Sequence, residues 1–223
     1  MGFGRKQSAL AQLVPDIAII PECGNALDFP VGCSTWVGSL PNKGLAVVSY
    51  GDYRVTLSRT HDPDITEAAP VRVRGPHSFF VLGLWARRHP RTTVSRSDYP
   101  AQLERALFRY RRQLRSHPAI VAGDFNHFPD MSRPGRDGFK SIGRTLDDLG
   151  LVSAYHKYHG LELGDEGHAT HYWLYRPNSG FHYDYCFIPR EWRIRSVRVG
   201  SYDQWVASGL SDHVPMTVDV TPR

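Results

Sequence analysis

The chain is poor in cysteine and has no long apolar run, internal repeat or low-complexity stretch, and each of these lacks narrows its class. Its 223 residues include three cysteines, Cys23, Cys33 and Cys186. The number is odd and no Cys-x-x-Cys pair occurs, so neither a disulfide framework nor a structural zinc site is suggested, and the three read as buried thiols. No apolar run approaches the roughly 20 residues of a membrane-spanning helix. The opening Met1-Gly2-Phe3-Gly4-Arg5-Lys6 has no apolar secretory core. The expectation is a soluble, cytoplasmic protein with no membrane partner. Nothing resembles a linker, and 41% hydrophobic with 12% aromatic residues excludes a disordered chain. A single domain over residues 1–223 is expected.

The formal net charge is +5 with a pI near 9.2. Arginines bunch in Arg87 to Arg96, Arg105 to Arg115 and Arg190 to Arg198. A basic surface favours a polyanion such as nucleic acid, although so modest an excess equally describes an ordinary solvated face.

Short apolar, β-branched runs separated by polar breaks predict strands at Asp16 to Ile20, Gly44 to Tyr50, Ser78 to Trp85, Ala119 to Ala122, Tyr183 to Ile188, Ile194 to Val199 and Val214 to Val220. Helical spacing of Leu103, Leu107, Tyr110 and Leu114 predicts a helix from Tyr99 to Ser116, with Ser97 or Asp98 as cap and His117-Pro118 as stop. Phe139, Ile142, Leu146 and Leu149 predict a second helix ending at Gly150. A short first helix is expected from Lys6 to Leu13. Thr60 to Pro76, Asp130 to Gly138 and Tyr158 to His168 read as loops. Strands reached through both helices and tight turns imply an α/β or α+β build with mixed sheets.

Four places could carry chemistry. Gly123-Asp124-Phe125-Asn126 closes an apolar strand with an acid and an amide that strand periodicity points the same way; an ordinary Asx turn is the competing reading. Ser211-Asp212-His213 opens the last strand, where an acid and an imidazole could straddle a substrate, or simply form a loop entering an edge strand. Asp184 lies in the aromatic strand Tyr183-Asp184-Tyr185-Cys186-Phe187, where a buried carboxylate needs a partner such as a histidine. Glu22 follows the apolar run Ile19-Ile20-Pro21, a natural place for a metal-binding carboxylate but also for a solvated loop residue.

In the order Glu22, Asp124 with Asn126, Asp184 and Asp212 with His213, the chain resembles the endonuclease/exonuclease/phosphatase superfamily of metal-dependent phosphoesterases, which includes abasic-site endonucleases and pancreatic-type deoxyribonucleases. Lys43 to Ser49 is similar to its second core strand. The resemblance implies a four-layer sandwich of two packed mixed β-sheets flanked by helices, with the site at one mouth. It implies Glu22 as ligand of Mg²⁺ or Mn²⁺ and Asp212 as ligand or close partner of that metal. Asp124 would orient or deprotonate the attacking water, Asn126 would hold that water or a phosphoryl oxygen, and His213, oriented by Asp184, would contact the scissile phosphate. Which of Asp124 and His213 is the base stays open. Metal and acid or base together suit phosphoryl transfer, a placed proton carrier adding on the order of 10²–10⁴ in rate.

The chain departs from this pattern twice. Relatives open with a strand bearing an asparagine of the metal site, and no such strand precedes the first helix here. Relatives also place a Tyr or His at the end of the strand Phe79 to Arg87, where this chain has Trp85; Arg87 or His89 could then supply the phosphate contact. Trp173 and Tyr172 could stack on a base or sugar, and His127 could rim the cleft. His168 and His171 lack a third soft ligand nearby, which argues against zinc. A nuclease is expected, with hydrolysis of small phosphorylated substrates as the first alternative and a nucleic-acid-binding module without catalysis as the second.

Overall fold

The computed structural model describes residues 4–26, 28–87, 99–129 and 138–223. Its elements in chain order are α1 (Gly4–Ala11), β1 (Ile17–Cys23), β2 (Ser34–Leu40), β3 (Lys43–Ser49), β4 (Arg54–Leu57), β5 (Ala68–Arg74), β6 (Phe79–Trp85), α2 (Tyr99–Ser116), β7 (Ala119–Asp124), α3 (Gly138–Asp148), β8 (Leu151–Ser153), α4 (Ala154–His159), β9 (His171–Tyr172), β10 (Gly180–Phe181), β11 (Asp184–Pro189), β12 (Arg193–Val199) and β13 (Met216–Thr221).

Six strands form one mixed sheet in the order β4-β5-β6-β7-β11-β8. The β6–β7 pair is parallel, because α2 carries the chain back across the sheet between them, and the other pairs are antiparallel. One face of this sheet takes α2 and α3. Leu103, Ala106, Leu107, Tyr110 and Leu114 repeat at helical spacing along α2 and join Phe139, Ile142 and Leu146 of α3 against Phe80, Leu82, Leu84, Val121 and Phe187. Fully burying each such leucine contributes about 1.5–3 kcal/mol. The other face packs on a second, antiparallel layer, where Leu45 and Val47 of β3, Val197 of β12 and Val218 of β13 meet Val71, Val81 and Trp85. Leu10 of α1 covers the outside of that layer with Ile20, Ala46 and Val48. Helix, sheet, sheet and helix make the expected four-layer sandwich.

The second layer is in two pieces, β1-β3-β2 and β12-β13. Among the described residues β1 and β13 each pair on one side only, and no strand corresponds to the opening strand of the resemblance. The stretch expected as a loop from Thr60 to Pro76 contains β5, whose Val71 and Val73 face the core while Arg72 and Arg74 face solvent. The arginine-proline content disguises a regular half-buried strand. The run expected from Tyr158 to His168 starts inside α4, and the stretch Asp130 to Gly138, His89 and the cap candidates Ser97 and Asp98 lie outside the described residues, apart from Gly138, which opens α3. Gly150 has φ 76° and its N–H bonds the Asp147 carbonyl at 2.8 Å, closing α3 as anticipated. Cys23 and Cys33 are buried, Cys186 is partly buried, and all three are free. No helix among the described residues is long and apolar enough to cross a membrane.

Candidate active site at one mouth of the sandwich

β7 and β11 lie antiparallel with Asp124 opposite Asp184, so one strand's end meets the next strand's beginning and two carboxylates share a mouth. β6 lies parallel on the other side of β7, with Trp85 beside Asp124. Gly123 makes the approach possible: its φ is +138°, and a Cβ there would stand 2.0 Å from the Leu84 carbonyl oxygen. Past it the chain turns sharply, with Asn126 at φ 47°. The Asn126 backbone N–H and Nδ2 each donate to the Asp124 carboxylate at 2.8 Å, and Nδ2 also donates to the Ala86 carbonyl at 2.8 Å. Both amide hydrogens of Asn126 thus hold Asp124 and the β6 end in place, which leaves Oδ1 for any other contact.

His213 arrives on a separate arch. Its N–H donates to Ser211 Oγ at 3.1 Å, Val214 N–H to the Thr170 carbonyl at 2.8 Å, and Tyr172 N–H to the Asp212 carbonyl at 2.8 Å. Thr170 Oγ1 in turn accepts the N–H groups of Tyr183 and Asp184 at 2.9 and 3.0 Å. This lattice sets His213 Nδ1 2.8 Å from Asp184 Oδ2 and leaves Nε2 3.9 Å from Asp124 Oδ2. Asp184 therefore fixes the ring, and Nε2 looks into the mouth beside Asp124.

The electrostatics follow from burial. Burial opposes charge on His213, but the carboxylates of Asp184, Asp124 and Asp212 and the hydrogen bond to Asp184 outweigh it and push the imidazole up to about 10. Burial pushes Asp124 up strongly, with Asp184 and Glu22 adding to the rise, against the pull of His213 and the Asn126 N–H. Beside them His171 is buried, its ring 4.7 Å from that of His213 and its Nε2 4.0 Å from Asp212 Oδ2. Burial and then the charge on His213 depress it to about 4, so it stays neutral.

One end of the sandwich thus holds Asp124, Asn126, Asp184, Asp212 and His213. Glu22, at the end of β1 with φ 55°, faces the same region: its charge bears on both Asp124 and His171, and its carboxylate pairs with Lys43 at 3.1 Å. Asp124, Asp184 and His213 bring their polar atoms within 4.8 Å of one another, and with His213 held as an imidazolium it is the carboxylates that could hold a metal ion. Four carboxylates converging in a basic chain make an oxygen-rich donor set, which fits a hard divalent cation.

The residues expected to contact substrate divide. Trp85 is 1% exposed, and Arg87 and Lys43 lie over its ring at 4.9 and 5.6 Å. Arg87 is itself buried and donates to Ser39 Oγ and Thr66 Oγ1, so it braces Trp85 behind the mouth. Tyr172 packs on Tyr202, whereas Trp173 is 46% exposed. His127 lies against Phe139 and Phe128. Sequence reasoning missed Thr170, whose hydroxyl orders the Asp184 strand, and the aromatic wall of Phe128, Phe181 and Tyr183 that leads to His171. The alternation Phe181-His182-Tyr183 was the available signal for that wall.

Among curated proteins, no sequence matches. Solved structures similar to this chain include a 3′ phosphatase, NExo, from Neisseria bound to a product DNA hairpin (17% identity, 99% of this chain and 96% of that one, TM-score 0.70). They include an AP endonuclease from Archaeoglobus fulgidus (19% identity, 95% and 91%, TM-score 0.66) and a humanized D. rerio TDP2 (14% identity, 98% and 91%, TM-score 0.67). These likenesses bear on the fold. The pattern of the Endonuclease/Exonuclease/phosphatase family matches residues 8–213, nearly the whole chain, with Asp124, Asn126, Asp184 and His213 inside it. The chain belongs to the endonuclease/exonuclease/phosphatase family.

Proposed function

We propose that the protein is a nuclease, a hydrolase of DNA or RNA phosphodiesters that works with Mg²⁺ or Mn²⁺. The observation that carries this reading is the Asp184–His213–Asp124 constellation: an imidazole held charged by one carboxylate, with its free nitrogen beside a second that is buried and raised. A cationic Nε2–H at the mouth is suited to a phosphoryl oxygen, where negative charge builds in the transition state. Asp124, fixed by Asn126, is suited to take or orient the proton of an attacking water. Glu22 and Asp212 would hold the cation together with Asp124; bound there, it would offset charge on the phosphoryl oxygens.

Nucleic acid is favoured over small phosphoesters by the net positive charge and by the exposed Trp173, which offers a stacking face. The similar structures named above that act on DNA support the same choice. The test is hydrolysis of labelled single- and double-stranded DNA and RNA with Mg²⁺ or Mn²⁺ and with chelator, comparing wild type with His213→Ala. Metal-dependent cleavage lost in the variant is expected. Hydrolysis of small phosphoesters alone, with little response to salt, would replace the nuclease with a phosphatase.

A further inference from the structure

The second layer of the sandwich is interrupted, and the interruption shows in burial. Where β3 covers the six-stranded sheet, the inward side chains Val71 of β5 and Val81 of β6 are fully buried. β7 and β11 are interior strands of the same sheet, yet Ile120 and Cys186, on the same inward face, remain partly exposed. Their position explains this. β1 lies against β7 and β13 against β11, and β7 and β11 are neighbours, but β1 and β13 do not pair with each other. A slot therefore separates them, with Ile120 and Cys186 as its floor and the partly buried Ile17, Ile19, Met216 and Val218 along its sides. Each side is also a strand edge. Among the described residues β1 pairs with β3 alone and β13 with β12 alone, so both present a row of backbone N–H and C=O groups without strand partners.

Two backbone edges over an apolar floor complement an extended backbone with apolar side chains at alternate positions. The position of α1 fixes the direction of such a segment and its point of attachment. Lys6, near the start of α1, reaches the mouth, where its Nζ donates to Ser211 Oγ at 3.1 Å. Leu10 packs on Ile20, Ala46 and Val48 on one side of the slot and on Val214, just before β13, on the other. The helix thus bridges the slot from outside. It runs away from the mouth, and β1 returns to it, ending beside Glu22. A strand joined to the amino side of α1 would run toward the mouth, parallel to β1 and antiparallel to β13, with α1 as the crossover that a parallel pair requires. We propose that the slot between β1 and β13 is the seat of such a strand, about five or six residues long and apolar at alternate positions. Seated there, it joins β1, which carries Glu22, to β13, which follows His213, and makes the second layer continuous beneath the mouth. The proposal does not depend on the catalytic reading, and each can fail alone.

The test follows backbone exchange, not hydrolysis. The 223-residue chain is compared with chains lengthened at the amino end by a designed segment of about six residues, alternating valine and threonine, in each of its two registers. A glycine-serine segment of the same length is the control. Hydrogen exchange in β1 and β13 is expected to slow by at least about ten-fold in a valine-threonine chain and to stay unchanged in the control. The urea midpoint should rise with it. Protection in one register shows a strand seated with its valines over Ile120 and Cys186, and protection in both shows a seat that tolerates slippage; either supports the proposal. Exchange in β1 and β13 that stays unchanged in both registers, or slows equally with glycine-serine, overturns it. Protection that appears only with dimer formation in sedimentation also overturns it, in favour of edge pairing between copies.

Discussion

Asp184→Asn keeps the shape of the residue that holds His213 and removes its charge. In the native chain Asp184 is the largest of the influences that lift His213 to about 10 against the opposition of burial. Its Oδ2 accepts the Nδ1 hydrogen at 2.8 Å. A hydrogen bond between charged partners is worth about 1.5–3 kcal/mol, roughly twice a neutral one, so the variant loses on the order of 1–2 kcal/mol of preference for the imidazolium. At 1.36 kcal/mol per pKa unit, the His213 pKa should fall by about one unit. The sign of the stability effect follows from linkage. A folded-state pKa raised above the ordinary 6.5 gives stability that is complete below pH 6.5 and is lost as pH rises through about 10. The variant should therefore be less stable than wild type near pH 6, and the difference should close as pH climbs toward 10. Imidazole NMR titration of His213, assigned by comparison with His213→Gln, measures the first quantity, and urea unfolding at pH 6 and pH 10 the second. An unmoved His213 pKa, or a destabilisation equal at both pH values, would refute the reasoning.

Gly123→Ala combines a strained φ with overlap on the Leu84 carbonyl, and should cost about 3–5 kcal/mol, read as a lower urea midpoint at unchanged slope. Asp124→Ala should reduce kcat/KM for cleavage by roughly 10²–10⁴ while the circular dichroism of the chain is preserved, since the carboxylate serves the mouth and not the core. Mg²⁺ or Mn²⁺ in hundred-fold excess over its Kd should stabilise wild type by about 2.7 kcal/mol, and this gain should disappear in Glu22→Ala/Asp124→Ala; thermal unfolding with and without metal decides it. His171, buried and neutral with its pKa lowered to about 4, binds fewer protons folded than unfolded, so the metal-free chain should lose about 3 kcal/mol as pH falls from 6.5 to 4. His171→Phe should flatten that acid limb, and an unchanged limb would show that another group is responsible.

The sequence was most legible where side-chain periodicity and local chemistry agree. The stripe of Leu103, Leu107, Tyr110 and Leu114 becomes the buried face of α2, and Gly150 ends α3 in a left-handed turn, because both depend on neighbours within a few residues. β5 was hidden because arginines on its solvent face and a proline at Pro70 look like a loop until β4 and β6 are laid beside it. The need of Asp184 for a histidine partner could be anticipated from the cost of burying a lone carboxylate, but local chemistry could not pick one out across 29 residues, and His213 was named only through the family resemblance. Arg87 could be read locally only as a cation after a strand, and its bonds to the hydroxyls of Ser39 and Thr66 beside Trp85 arise only when β2 and the turn before β5 are folded against it.

The mouth depends on elements far apart in the chain, and this shapes how it can fail. Asp124 is set by β6 and β7, whose ends are joined by the Ala86 N–H to the Asp124 carbonyl at 3.0 Å and by Asn126. His213 is set by a different group of elements: β9 through Tyr172, the Thr170 loop, and α1, whose Lys6 Nζ donates to Ser211 Oγ at 3.1 Å while Leu10 and Leu13 pack with Trp205 and Val214. The two halves meet through the β7–β11 pairing and the Asp184–His213 hydrogen bond. A change that loosens α1, such as Leu10→Ala, should leave the six-stranded sheet and Asp124 in place and release the His213 arch. Removing a fully buried leucine costs about 2–5 kcal/mol, so the partly buried Leu10 should cost less, at the lower end of that range or below it, taken largely from the arch. The His213 imidazole should then titrate closer to 6.5 while amide exchange in β6 and β7 stays slow. Equal loosening of both halves in hydrogen exchange would show instead that the mouth opens as one unit.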